Sequence, residues 1–433
     1  MTYKYLGTFI VLAVLLVAGC RSDTYGTDDA HTADSVDAPA RNTSVDASPY
    51  GGVDTLSREA LERDRYDDSW RTFAEEEFAY EEMPTPDSPA LDAARTQRSA
   101  MAEMTLRIDT TENDETWDDI TPDAVNGDSI HLPLSGEVEG PSVLRVQILL
   151  DKVHFSPGII DGRWGKNTEK AVYWLQRREG LAATGTIDST TLHLLMSLAN
   201  VPDRFAVEYT LTEDDVAGPF VEIPGDIYEK AELDAMGYES LTEKLSEQFH
   251  ATPDLLAQLN PDVMLDSLKA GDVLMVPDVG SLDDSAVGEV AQIVVSGSGF
   301  YVHAEDSTGR ILYHFPSTLG SSYDPSPEGD FEINSITEDP WWHYQPDILE
   351  SVPDDQPDAR IPPGPNNAVG VIWIDLSEPH FGIHGTSAPE TIGYVTSAGC
   401  VRLTNWDALF LGRHLEEGIP VRFTGTRTRQ AGG

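Results

Sequence analysis

Between residues 291 and 333 the chain repeats a short apolar alternation, as Ala291-Gln292-Ile293-Val294-Val295, Phe300-Tyr301-Val302-His303, Ile311-Leu312-Tyr313-His314-Phe315-Pro316 and Asp330-Phe331-Glu332-Ile333. Gly, Ser, Asp and Pro separate the runs. Successive side chains on a strand face opposite ways, so short runs of this kind between turn formers specify a β-rich domain. That domain holds Cys400, one of only two cysteines, the other being Cys20. His384 lies 16 residues before Cys400. A lone cysteine with a histidine elsewhere in the chain is a candidate nucleophile and base. Free cysteines are often inert and buried. In an exported protein that reading is weaker, because an unpaired thiol there is exposed to oxidation.

At 433 residues, two to four domains are expected. The formal net charge is −47, from 75 acidic and 28 basic residues. It is not confined to one tail, since residues 21–140 carry −21 and residues 141–433 carry −27. Only 7 of the bases are Lys. Such a surface suits a protein kept soluble in high salt, where self-repulsion is screened. The rival reading is an acidic interaction tail. Nucleic acid is excluded as a partner class, because nothing here neutralises phosphates. No metal-ligand spacing occurs, no cofactor is implied, and His343 is assigned no ligand role.

After Lys4, residues 6–19 form an apolar run too short to span a bilayer comfortably, which fits a signal-peptide core. It ends Val17-Ala18-Gly19-Cys20, which resembles the bacterial lipobox. The resemblance implies lipidation at Cys20 and residence in the envelope. Arg21, not Asp, follows, so the expected site faces the periplasm, from the outer membrane. Residues 21–140 read as an acidic, largely disordered tether, with a charged helix over 57–83.

Residues 141–200 resemble a three-helix peptidoglycan-binding domain. The motifs are Asp161-Gly162-Arg163-Trp164-Gly165-Lys166-Asn167-Thr168, Ala171-Val172-Tyr173-Trp174-Leu175-Gln176 and Gly185-Thr186-Ile187-Asp188-Ser189-Thr190. Asn167 or Thr168 is expected to cap the second helix and Asp188 the third. Residues 205–278 resemble a βααβ LysM unit, through Leu259-Asn260-Pro261 and the ending Leu268-Lys269-Ala270-Gly271-Asp272-Val273-Leu274-Met275-Val276-Pro277. Tyr209-Thr210-Leu211 is the candidate opening strand, and about 30 residues then intervene before the first helix.

Residues 290–425 resemble the L,D-transpeptidase catalytic domain, in a β-sandwich-like fold. Four blocks carry this: Ser326-Pro327-Glu328-Gly329-Asp330-Phe331-Glu332-Ile333, Ile361-Pro362-Pro363-Gly364-Pro365-Asn366-Asn367-Ala368-Val369-Gly370, Ile383-His384-Gly385-Thr386 and Ser397-Ala398-Gly399-Cys400-Val401-Arg402-Leu403. The resemblance implies a Cys400 thioester with a peptidoglycan stem peptide, His384 as base oriented by the Gly385 carbonyl, and an oxyanion site at Gly399 and Cys400. A nearby imidazole is expected to lower the Cys400 pKa. Arg402 is the candidate to hold a substrate carboxylate or amide, or else braces the loop. Ser397 reads as a loop hydrogen bonder. Ala398 stands where many members carry His. Trp341-Trp342-His343-Tyr344 is either sheet cover or an aromatic wall of the peptide groove. Acceptors to weigh are a second stem peptide, a protein amine, or water, the last giving an L,D-carboxypeptidase. The rival of another class is a non-catalytic lipoprotein that ties membrane to wall.

Overall fold

A computed structural model describes residues 70–71, 107–109, 119–199, 203–281, 287–321, 324–346 and 356–426. All lie in one of the chain's two compact units, Ser48–Gly433. The expected lipid site at Cys20, the start of the tether and most of the helix expected over 57–83 fall outside the described residues.

Folded chain begins before 141. Strands β1 (Arg107–Asp109) and β2 (Ser129–His131) pair in parallel, with a short helix α1 (Pro122–Val125) between them. Ile120, Val125, Ile130, Leu132 and Leu134 are buried. The tether expected over 21–140 is therefore corrected at its end, and the cause is Arg145. Its guanidinium is buried and donates to the carbonyls of Val125, Ser129 and Ala124 at 2.6, 2.5 and 2.7 Å. A buried charge must be compensated, and here upstream backbone supplies the acceptors. Burial still lowers the Arg145 pKa to about 10.

Three helices follow: α2 (Pro141–Lys152), α3 (Lys166–Arg178) and α4 (Ser189–Leu198). Residues 142–151 of α2 are all buried, so this helix is the centre of its module. Two glutamines tie the loops. Gln147 Oε1 accepts from Gly162 N at 2.7 Å, and Gln176 Oε1 accepts from Gly185 N at 2.9 Å. Gly162 has φ +70°, and a Cβ there would meet Ile120 at 2.4 Å, so only glycine fits. Asp188 caps α4 by accepting from Thr191 N at 2.7 Å. The cap expected for α3 is corrected. Gly165 occupies that position, while Asn167 and Thr168 lie inside the helix and bond elsewhere.

In the second module β3 (Ala206–Thr210) pairs antiparallel with β4 (Val273–Pro277). Between them lie α5 (Ile227–Ala231), α6 (Leu241–Gln248) and α7 (Pro253–Leu259). Ser240 and Thr252 cap α6 and α7. Asn260 braces β4, donating to Met275 O and accepting from Met275 N, both at 2.8 Å. The long insertion after β3 does not pack on this core alone. Ile227 and Met236 form a buried cluster with Tyr344 and Ile361 of the next module.

The last module contains β5 (Gln292–Ser296), β6 (Tyr301–Glu305), β7 (Ile311–Pro316), β8 (Gly329–Glu338), β9 (Trp342–Tyr344), β10 (Ala359–Ile361), β11 (Ile372–Leu376), β12 (Gly382–His384), β13 (Val401–Arg402), α8 (Asn405–Arg413) and β14 (Pro420–Thr424). Eight of these strands form one sheet, ordered β13-β12-β11-β8-β14-β5-β6-β7. Strand β8 serves both halves, pairing with β14 through residues 329–332 and with β11 through 333–338. At the β7 edge, first-module backbone continues the ladder, with Ser156 N donating to His314 O at 2.8 Å and His314 N to His154 O at 3.0 Å.

A charge cluster pins the same junction. Glu179 is fully buried and accepts from Arg178 at 2.6 Å and from Arg310 at 3.0 Å. Glu179→Ala leaves two arginines facing each other with no carboxylate between them. The loss expected is about 3 kcal/mol in unfolding free energy, read as a lower denaturant midpoint with unchanged slope.

Candidate active site

The parallel pairing of β12 with β13 assembles the site. Ile383 faces Val401 and His384 faces Arg402, so the 16-residue spacing closes into adjacent strands with Cys400 immediately before the second. His384 is buried. Its Nδ1 lies 2.7 Å from Gly385 O. A carbonyl only accepts, so the proton sits on Nδ1 and Nε2 is left as the basic nitrogen. The ring stacks on Trp373, with centroids 5.4 Å apart and planes 20° apart. Burial, then the Arg402 charge, lower the His384 pKa to about 3, so the imidazole is neutral across the working range.

Cys400 is half-buried. Its thiol reaches towards His380 O at 3.6 Å. Burial pushes its pKa up, opposed by the Gly382 N–H and the Arg402 charge. The expected lowering of this pKa is thus corrected. A neutral imidazole offers the thiolate no counter-charge, and desolvation prevails.

The loop before Cys400 is tied on both sides. Ser397 Oγ donates to Cys400 O at 2.6 Å, and Ser326 Oγ donates to Gly399 O at 2.6 Å. Thr318 and Arg402 exchange backbone hydrogen bonds at 3.0 and 2.8 Å. Gly399 has φ +103°, and a Cβ there would lie 2.9 Å from Phe381, so no other residue fits. With Gly399 O fixed, the Cys400 N–H, trans to it across a planar peptide, is fixed in direction as well.

Cys400, His384, Arg402, Ser397 and Ala398 all line one cavity of about 670 Å³. Gly385 and Gly399 stand behind it as backbone supports. The Arg402 Nε is buried without a hydrogen-bond partner. Among the described residues, the lining holds Arg402, Lys230 and three histidines but no carboxylate, in a chain of net charge −47. Trp341 and Trp342 form part of the wall, and Trp341 is 45% exposed. No motif marked Lys230 and Met236, which belong to the insertion in the second module. The signal available was the misfit itself, about 30 residues too many after β3. His380 and Trp373 were also missed, because their role depends on strand register.

Comparisons with known proteins assign two stretches of the chain to described families. Residues 291–422 match the family described as "L,D-transpeptidase catalytic domain" (YkuD). Residues 139–195 match the family described as "Putative peptidoglycan binding domain". The chain is similar to "Putative L,D-transpeptidase YkuD" of Bacillus licheniformis, 25% identical over 42% of this chain and 92% of the relative. It is also similar to "Putative L,D-transpeptidase in ATP synthase subunits region ORF 5" of Fuscovulum blasticum, 37% identical over 24% of this chain and 52% of the relative. Among solved structures, an L,D-transpeptidase from Xylanimonas cellulosilytica is 15% identical with TM-score 0.29, covering 67% of this chain and 97% of that one. Residues 291–422 are an L,D-transpeptidase catalytic domain, a peptidoglycan-binding domain precedes it, and the protein is an enzyme.

The raised thiol pKa sets a reactivity profile. A cysteine whose pKa is pushed up is less ionised at any pH below it, so its alkylation lags an ordinary thiol of pKa ~8.5. Followed by mass spectrometry on the Cys400 peptide, iodoacetamide labelling of the free protein is expected to reach half its maximal rate above that pH.

Proposed function

We propose that this protein is a cell-envelope acyltransferase in which Cys400 attacks a stem-peptide amide and His384 carries the proton. One observation carries the reading: a thiol and an imidazole share one cavity wall, and the imidazole's Nδ1–H is committed to the Gly385 carbonyl. As substrate binds, Nε2 takes the Cys400 proton while Sγ adds to the carbonyl carbon. The Cys400 N–H, with its direction set by the Ser326 tie, is the candidate donor to the oxyanion, and one such donor is worth about 3 kcal/mol. Collapse expels the amine, which takes the proton back from His384 and leaves as D-alanine, and a thioester remains. An acceptor amine then repeats the sequence in reverse and becomes acylated.

The donor chemistry follows from the lining. A cavity with Arg402 and Lys230 and without carboxylates suits a peptide that carries carboxylates of its own. The amide cleaved joins D-alanine to an L-centred third residue such as meso-diaminopimelate. The acceptor is the side-chain amine of another stem peptide, giving a 3–3 cross-link. The domain at 139–195 holds the polymer near the site, and the βααβ core of 205–278 serves as a LysM-like glycan contact. A lipid on Cys20 anchors the protein to the envelope, with the acidic stretch as its lead.

Incubation with a carbapenem is expected to add the mass of the intact drug to the wild-type protein and nothing to Cys400→Ala. His384→Ala is expected to slow that acylation by roughly 10²–10⁴-fold. No adduct on wild type, or an adduct that survives Cys400→Ala, would sink the enzyme mechanism.

A further inference from the structure

The peptide that orients the base is gripped from behind. Gly385 O and Thr386 N–H belong to one planar amide. On its carbonyl side it accepts from His384 Nδ1 at 2.7 Å. On its N–H side Thr386 N donates to Asn405 Oδ1 at 3.0 Å. Asn405 Nδ2 in turn donates to Glu247 Oε2 at 2.9 Å. Glu247 Oε1 accepts from Tyr238 OH at 2.9 Å. An unbroken line of hydrogen bonds thus runs from the half-buried carboxyl group of Glu247 through two amides to the imidazole. Each donation polarises the next acceptor in the line. Glu247 sits on α6, well upstream of residues 291–422. Asn405 also accepts from Val371 N at 3.3 Å, and a Cβ on Gly385 or Gly370 would lie 2.1 Å from its Oδ1. The carboxamide therefore packs directly against two glycines, where no side chain could stand.

We propose that Glu247 is a positioning residue for the acyl-transfer site: through Asn405 it holds the Gly385–Thr386 peptide that fixes the tautomer and direction of His384. This rests on His384 being the base. It adds that the module preceding the catalytic domain supplies the carboxyl group at the end of the base's support. The base is then complete only when that module is docked. Serine and cysteine acyltransferases orient a base histidine by a directly bonded carboxylate or amide. Here the carboxyl group acts two amides away.

The test uses the full chain and a soluble carbapenem, which needs no wall binding, so loss of polymer targeting leaves the readout untouched. Glu247→Ala is expected to slow Cys400 acylation by roughly tenfold to a hundredfold, the effect of a misplaced reacting group. Glu247→Gln keeps an acceptor for Asn405 Nδ2 and should recover most of the rate. Tyr238→Phe removes a bond from the same carboxylate but leaves the link to Asn405, and should stay within about twofold of wild type. Wild-type acylation by Glu247→Ala overturns the proposal. So does an equal loss in Glu247→Ala, Glu247→Gln and Tyr238→Phe, which would mean that docking alone sets the rate. Nitrogen-15 NMR of the His384 ring gives a second readout that needs no turnover. Wild type should show one tautomer with the proton on Nδ1, and Glu247→Ala a mixture. A wild-type ring protonated on Nε2 overturns the proposal even if every variant folds poorly. Should wild type form no adduct at all, the acyltransfer reading fails separately, and the tautomer spectra still decide the role of Glu247.

Discussion

Two residues of parallel pairing carry the site. Where Ile383 meets Val401 and His384 meets Arg402, strands far shorter than average are made to hold an imidazole, a thiol and a guanidinium in one wall. So small a ladder cannot hold itself. It is held by what packs behind it: the sheet through β11, the extended residues 318–320 across the thiol loop, and α8 underneath. The Trp373 ring on His384 belongs to the same support, since it stands on the strand next to β12.

Much of this was legible from residue types. The alternations at 291–333 became β5, β6, β7 and β8, because period-2 patterning with turn formers between leaves few other structures. Asp188 was legible as a helix cap, while Gly162 and Gly185, met by Gln147 and Gln176, proved to belong to one loop-stitching device used twice. Other features had no local signature. Arg145 looks like an ordinary charge on a helix, yet it organises chain twenty residues upstream. The cap of α3 was misassigned because Asn167 is a good capping residue by type, while its amide is drawn to Ile392 O in another module. The direction of the thiol pKa was also misjudged. Proximity of a histidine in sequence says nothing of its charge, and that charge depends on burial and on Arg402.

The insertion after β3 shows how a misfit can inform. As part of a small βααβ unit it has no purpose. In the fold its backbone exchanges bonds with the proline-rich loop, Met236 N donating to Pro363 O at 2.8 Å and Asn366 N to Met236 O at 3.0 Å. Gly364, at φ +143°, is required there because a Cβ would lie 2.2 Å from Met236 O. The wall this creates brings Lys230 into the cavity, and no pattern within residues 290–425 could have revealed it.

The ladder that Ser156 and His154 add to β7 has a practical meaning for anyone cutting this chain. Strand β7 is the outer strand of the eight-stranded sheet, and a bare strand edge is a template for self-association. A fragment trimmed to residues 290–425 would uncover that edge, together with the apolar faces of Tyr344 and Ile361 that Ile227 and Met236 now cover. A piece that keeps its own edges satisfied reaches back at least to β1, which pairs with β2 and precedes the acceptors for Arg145. Sequence families divide this protein into modules, but its covered strand edges and apolar faces belong to their sum.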